Sequence, residues 1–364
     1  MSFDRRIYNF AAGPATLPEE VLEQARDELL NWQGLGTSVM EISHRSKEFM
    51  AVYENTLANL RELMAIPSDY EILLLQGGGI GQNAAIPMNL MPLAKKPKAD
   101  FVVTGIWSEK SVKEAQKYGE AHIAASSQMQ GFRAIPEQRT WTLSEDAAYV
   151  HICANETIGG VEFPEFPKVG KPPLVADISS NILSKTMNVS ECGVLFAGAQ
   201  KNIGPAGVTI VIVRKDLMGH AMPITPSIWD WAKEAANQSM LNTPPTFPIY
   251  VSGLVFEWIK RQGGVAEMER RSQLKSSMLY GFIDQSALYE NRVDPQCRSR
   301  TNVTFFLRDE GLNAEFLEQS TAAGLAALRG HKAAGGMRAS IYNAMPIAGV
   351  ETLVEFMREF ERRA

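Results

Sequence analysis

Short apolar runs alternate with amphipathic stretches through the first two-thirds of the chain. Ile72 to Leu75, Phe101 to Thr104, Ala148 to Cys153, Leu174 to Ala176, Val194 to Ala199 and Val208 to Val213 read as strands. They are too short for helices and carry the apolar content of segments buried on both faces. Helical patterns lie between them, around Ala84 to Leu90 and from beyond Thr104 to about Tyr118. Two more precede the first strand. Thr16-Leu17-Pro18-Glu19 reads as a capping box opening a helix to about Trp32, ended by Gly34 and Gly36, and a second runs from Phe49 to Met64 before Pro67. This alternation predicts an α/β fold with a mostly parallel sheet covered by helices.

A long helical stretch begins near Ser252, and beyond it the pattern changes. Thr301 to Leu307 reads as a strand, Asn313 to Ala323 as a helix, and Gly324 to Leu328 and Met337 to Tyr342 as strands. Val350, Leu353, Val354, Met357 and Phe360 form an apolar stripe on a closing helix. The expected division is a large domain over 16–262 and a smaller α+β domain built from 1–15 and 263–364.

Composition narrows the function. The 364 residues are 45% hydrophobic and 21% charged, enough for a large core in an ordinary globular chain. A formal net charge of −5 and the lack of any basic run argue against nucleic acid as a partner. No stretch approaches membrane-spanning length, and the start lacks an apolar leader segment. Cys153, Cys192 and Cys297 are odd in number and lack metal-site spacing, so the expectation is a reducing, cytoplasmic setting with no metal.

Lys201 carries the first chemical signal, lying between the Val194 to Ala199 strand and the breaker loop Gly204-Pro205-Ala206-Gly207. An ammonium resists desolvation, and lysine answers burial by losing its proton. Asp177 ends another apolar strand 24 positions earlier. An aspartate to pair with a ring nitrogen and a lysine to form an imine are what a pyridoxal phosphate enzyme requires. Three more strand ends carry Gly79 in the glycine loop Gly77-Gly78-Gly79-Ile80-Gly81, Trp107 and Thr157. The glycine loop reads either as an anion site at a helix N-terminus or as a plain tight turn. Trp107 reads either as a core residue or as a stacking platform. Ligands of open α/β sheets bind at the carboxyl ends of strands, so the convergence of five such ends is the argument. A cationic set completes the picture: His44 and Arg45 between two helices, His331, and Arg338, placed by its flanking residues to grip a carboxylate.

Asp177, Ala197-Gly198-Ala199-Gln200-Lys201-Asn202-Ile203-Gly204-Pro205-Ala206-Gly207, Asn242-Thr243-Pro244-Pro245-Thr246 and Gly336-Met337-Arg338-Ala339-Ser340-Ile341-Tyr342-Asn343 together resemble the phosphoserine aminotransferase family, among the class V pyridoxal phosphate-dependent aminotransferases. The resemblance runs in order over nearly the whole chain. It implies the type I fold of pyridoxal phosphate-dependent transferases, with a mostly parallel seven-stranded sheet. It also implies transamination of 3-phosphohydroxypyruvate with L-glutamate by a homodimer with shared active sites. Bacterial relatives also act on a phosphorylated four-carbon oxo acid. Under the resemblance Lys201 holds the cofactor, Asp177 pairs with its ring nitrogen, Trp107 stacks on it and Thr157 bonds its phenolic oxygen. Gly79, Ile80 and Gln200 hold its phosphate, with Asn242 and Thr243 of the second subunit. Arg338 takes the substrate α-carboxylate, with His44, Arg45 and His331 toward the distal anion. Ile80 departs from the arginine that many bacterial relatives carry in the glycine loop. A neighbouring expectation, a cysteine desulfurase, needs a reactive loop cysteine, for which Cys297 is the candidate.

Overall fold

The computed structural model describes residues 6–364. Its centre is a seven-stranded sheet of β1 (Tyr70–Leu75), β2 (Lys98–Val103), β3 (Glu120–Ser126), β4 (Val150–Cys153), β5 (Leu174–Asp177), β6 (Val194–Gly198) and β7 (Thr209–Arg214). The spatial order is β1-β7-β6-β5-β4-β2-β3, and β7 alone runs antiparallel to its neighbours. Successive residues point to opposite faces. Leu74, Val102, Ile152, Ala176, Leu195 and Ile210 therefore face one core, and Leu73, Phe101, Val103, Val175, Phe196 and Val211 the other.

The helices cover both faces. They are α1 (Glu19–Asp27), α2 (Lys47–Leu63), α3 (Gly78–Leu90), α4 (Ile106–Ala115), α5 (Trp231–Ala236), α6 (Thr246–Arg261), α7 (Gly264–Ile283), α8 (Asn313–Ala322) and α9 (Ile347–Arg363). Ser46 caps α2 by accepting from Phe49 N at 3.3 Å. Phe49, Tyr53 and Leu60 then recur on its buried face, each contributing about 1.5–3 kcal/mol by burial. The contact of α2 with α6 needs Gly253, because a Cβ there would stand 2.5 Å from Thr56 Oγ1.

The smaller sheet holds β8 (Tyr289–Glu290), β9 (Asn302–Leu307) and β10 (Met337–Ser340), all antiparallel, under α7, α8 and α9. The α9 stripe of Val350, Leu353, Val354, Met357 and Phe360 is buried there, together with Phe10 from the start of the chain. Tyr8–Asn9 pairs in parallel with Leu325–Ala326. From there the chain crosses to the large sheet, where Ala15 N donates to Gln200 O at 2.9 Å.

Four local expectations need correction. Thr16 does not cap α1: the cap position is Pro18, and Thr16 Oγ1 instead receives Arg6 Nη2 at 3.4 Å. That helix ends at Asp27 rather than Trp32, since Leu29 and Leu30 find no core and remain exposed. The stretch from Ser252 is two helices, broken where Gly263 takes φ +105°, a conformation that favours glycine. The strand expected over 324–328 shrinks to Leu325–Ala326. No apolar run marks β3 in the sequence, because it is an edge strand of mixed exposed and half-buried residues with one buried position.

Candidate active site

Strands β6, β5, β4 and β2 are consecutive neighbours in the sheet, and their carboxyl ends deliver Lys201, Asp177, Thr157 and Trp107 in that order. Lys201 Nζ donates to Thr157 Oγ1 at 2.7 Å and lies 5.2 Å from the Trp107 ring centre. Burial lowers the Lys201 pKa below the usual lysine value; the carboxylate of Asp177 opposes this most strongly, while Arg338 adds to it. Asp177 Oδ1 accepts from Ser179 N at 2.9 Å. Its Oδ2 lies 3.8 Å from where a Cβ of Gly79 would stand, so the glycine loop approaches the carboxylate closely.

That loop opens α3 without a side-chain cap, with Gly77 at φ +96° and Gly78 at φ +65°. Both angles lie in the left-handed region that glycine adopts without strain. Gly78 N is bonded to Thr209 Oγ1 at 2.8 Å, while Ile80 is 60% exposed on the first turn. Gln200 folds back on Gly198, where a Cβ would stand 2.7 Å from Gln200 Oε1. The N-terminal crossing passes over Lys201, with the Cβ position of Gly13 only 3.2 Å from Lys201 Cγ.

Arg338 on β10 reaches from the smaller sheet toward the large one, Nη1 donating to Thr157 O at 3.2 Å, while its buried Nε meets no protein acceptor. It lines a cavity of about 200 Å³ with Gly105, Arg133, Gly159, Arg292 and Gly335. His331 sits nearby, its Nδ1 accepting from Ala333 N at 3.2 Å. Burial and then the charges of Arg338, Lys110 and Lys332 lower the His331 pKa. The surroundings of these two side chains are therefore cationic.

Other expected residues stand apart. Arg45 is exposed and His44 half-buried in the turn before α2, and among the described residues neither lines the Arg338 cavity nor bonds to Lys201, Asp177 or Thr157. Asn242 and Thr243 are exposed; the carbonyl of Thr243 accepts from Gln76 Nε2 of its own chain at 3.2 Å. Cys297 is buried and its thiol pushed up by that burial, the opposite of an activated thiolate.

Two residues at the site carried no sequence signal. His151 is buried one strand over from Asp177, between Phe101 and Phe196, with neither ring nitrogen bonded to protein, and burial pulls it down to about 4. Glu156 is wholly buried and bonds Trp107 N at 3.0 Å and Ser108 N at 2.9 Å. A histidine within an apolar strand and an acid in a short hairpin look like ordinary residues until the sheet order is known.

A buried amine, an adjacent carboxylate, an aromatic face and a guanidinium with unspent donors can together hold a flat cationic heterocycle and an anionic substrate. The family model for class-V aminotransferases matches residues 7–353. The chain is 60% identical to a phosphoserine aminotransferase of Ralstonia nicotianae, covering 99% of this chain and 96% of that one. It is 58% identical to a phosphoserine aminotransferase of Paraburkholderia phytofirmans, covering 99% of each. Among solved structures it is similar to phosphoserine aminotransferase from Bacillus circulans subsp. alkalophilus, with a TM-score of 0.96 at 43% identity over 98% of this chain and 99% of that one. A pyridoxal phosphate-bound phosphoserine aminotransferase from Trichomonas vaginalis gives a TM-score of 0.91 at 38% identity over 97% of this chain and 100% of that one. The chain belongs to the class-V aminotransferase family.

Proposed function

We propose that the chain is a pyridoxal phosphate-dependent transaminase that converts 3-phosphohydroxypyruvate and L-glutamate to O-phospho-L-serine and 2-oxoglutarate. The observation that carries this is the placement of Lys201 and Asp177 at the ends of neighbouring parallel strands, with Thr157 Oγ1 2.7 Å from the amine. Relatives that bear this activity in their names, alike over nearly the full length, support the substrate pair.

The residues present fit the cofactor. The Trp107 ring is half-buried with its Nε1 unpaired, α3 opens without a side-chain cap, and Asp177 has one oxygen toward the glycine loop. Bound there, pyridoxal phosphate supplies a carbonyl carbon for the amino group and a ring that accommodates the electron pair released at the substrate Cα. Lys201 would hold it covalently until the amino group of the substrate takes its place and frees the amine, Asp177 would pair with its ring nitrogen, and Trp107 and Thr157 would orient it. Gly79, Ile80 and Gln200 bind its phosphate, with Asn242 and Thr243 from a second copy of the chain. Lys201 Nζ, its pKa lowered by burial, takes the proton from the substrate Cα. Arg338 grips the α-carboxylate with the donors it has not spent on Thr157. His44, half-buried, and Arg45, exposed on one chain, act on the distal anion of a neighbouring subunit, with His331 beside Arg338.

This reading includes a homodimer, a cytoplasmic setting with which three free cysteines agree, and the domain division at residues 16–262 against 1–15 and 263–364. No helix among the described residues is long and apolar enough to cross a membrane. The test is formation of 2-oxoglutarate from glutamate in the presence of 3-phosphohydroxypyruvate. A cofactor-loaded protein that transaminates other oxo acids but not this one would overturn the substrate assignment.

A further inference from the structure

Helix α4 has no side chain at its N-cap position to take its first free amides, although Ser108 Oγ accepts from Gly105 N at 3.1 Å. Gly105 at its N-cap has no side chain, and a Cβ there would stand 2.4 Å from Glu156 Cδ. The carboxylate of Glu156, on the hairpin after β4, fills that place, 49 residues along the chain from Trp107. Its Oε2 accepts from Trp107 N at 3.0 Å, and its Oε1 from Ser108 N at 2.9 Å and Ser108 Oγ at 2.6 Å. The first free amides of a helix are where a carboxylate binds best, and the donors here also replace the water it loses. Without them a fully buried carboxylate is costly.

Glu156 cannot drift, because its neighbours are pinned on both sides. Asn155 Nδ2 lies within hydrogen-bond reach of Ser180 Oγ at 2.8 Å, Thr301 Oγ1 at 2.9 Å and Asn302 Oδ1 at 2.9 Å. Thr157 accepts from Lys201 through its hydroxyl and from Arg338 through its carbonyl. Three consecutive residues thus tie together the small domain, the start of α4, the reactive amine and the carboxylate-binding guanidinium.

We infer that Glu156 is a positioning residue of the cofactor site: its carboxylate caps α4 from outside the helix and thereby fixes the plane of the Trp107 ring relative to Lys201. The inference rests on the reading of Trp107 as the platform for pyridoxal phosphate. Glu156 touches neither cofactor nor substrate in this role; it acts through the backbone of Trp107. Gly105 follows from the same geometry, since any larger residue would displace the carboxylate.

The test is a double-mutant cycle on cofactor affinity. Pyridoxal phosphate is titrated into apo-protein and its band followed by absorbance and near-ultraviolet circular dichroism, with thermal unfolding as the folding control. Glu156→Gln sets an amide hydrogen against at least one backbone N–H, so the dissociation constant should rise about tenfold, with an altered dichroic band. In a Trp107→Ala background the same replacement should cost less than about threefold, because the platform it positions is gone. Equal losses in both backgrounds, or a folded Glu156→Gln protein with unchanged affinity and dichroism, would overturn the inference. Should Glu156→Gln not fold, Ser108→Ala keeps the carboxylate but removes its 2.6 Å contact, together with the bonds of the hydroxyl to Thr104 N, Gly105 N and Gly105 O, and runs the same cycle with an expected change of about threefold. A wild-type chain that takes up no pyridoxal phosphate would sink the cofactor reading, and this inference with it. Normal uptake with an additive cycle sinks the inference alone.

Discussion

Lys201 at the sheet edge and Lys275 in the middle of α7 are both pulled below the usual lysine pKa by burial, Lys275 to about 7. Their surroundings differ in what remains free. Lys275 Nζ donates to Tyr342 O at 2.7 Å and to Met345 O at 2.8 Å, buried beside the smaller sheet. A neutral amine has two N–H donors, and both are spent there on tying α7 to the loop before α9. Lys201 has a hydroxyl at 2.7 Å, an aromatic face, and Asp177 and Arg338 near enough to bias its proton. Desolvation lowers the basicity of both amines; only the one beside unspent polar groups can exchange partners with an incoming ligand. Burial alone does not mark a reactive lysine.

Replacing each lysine in turn gives the widest separation. Lys201→Ala should lower glutamate-dependent turnover at least about a thousandfold, as expected when a general base and covalent anchor go together. Turnover within tenfold of wild type would erase the distinction. Arg338→Ala should lower kcat/KM for glutamate about a hundredfold, since a charge-assisted grip on the α-carboxylate is lost. An unchanged kcat/KM would place the α-carboxylate elsewhere.

Lys275→Met should leave turnover within about threefold while costing about 2 kcal/mol in urea unfolding, because two carbonyls lose their donor. Its pH signature carries the sign of a depressed amine. The folded value of about 7 lies below the ordinary lysine value of 10.5, so the unfolded chain binds the extra proton between them. Stability from this group is full above 10.5 and lost as pH falls through 7, a slope of at most about 1.4 kcal/mol per pH unit. Lys275→Met should flatten that slope, and an unaltered profile would show the amine to be charged in the fold. The smallest effect belongs to Arg45→Ala, which should raise KM for the phosphorylated oxo acid about tenfold, less so at high salt, and leave the unfolding midpoint unchanged. An unchanged KM would remove Arg45 from the distal anion site.

The Asp177–Lys201 pair is legible in the sequence because each follows an apolar run whose period and length mark a buried strand, and strand ends carry ligands. The stripe on α9 is legible for the same reason, its spacing being that of a helix with one face in a core. Glu156 is not, since its partners at 107 and 108 become neighbours only when β2 and β4 pair. Lys275 is hidden in another way: a lysine on an amphipathic helix reads as solvated, and the carbonyls that bury it lie 67 and 70 residues away. The Thr16 misreading shows the limit of a short motif, because a rival donor on Arg6 engages the hydroxyl that the capping pattern assigns to a helix.

The most direct measurement is borohydride reduction of the cofactor-loaded protein followed by peptide mapping. The account predicts one pyridoxyl group, on the peptide carrying Lys201, and none after prior conversion with glutamate. Label on Lys275 or on the buried, Glu162-paired Lys185, or none at all, would contradict it.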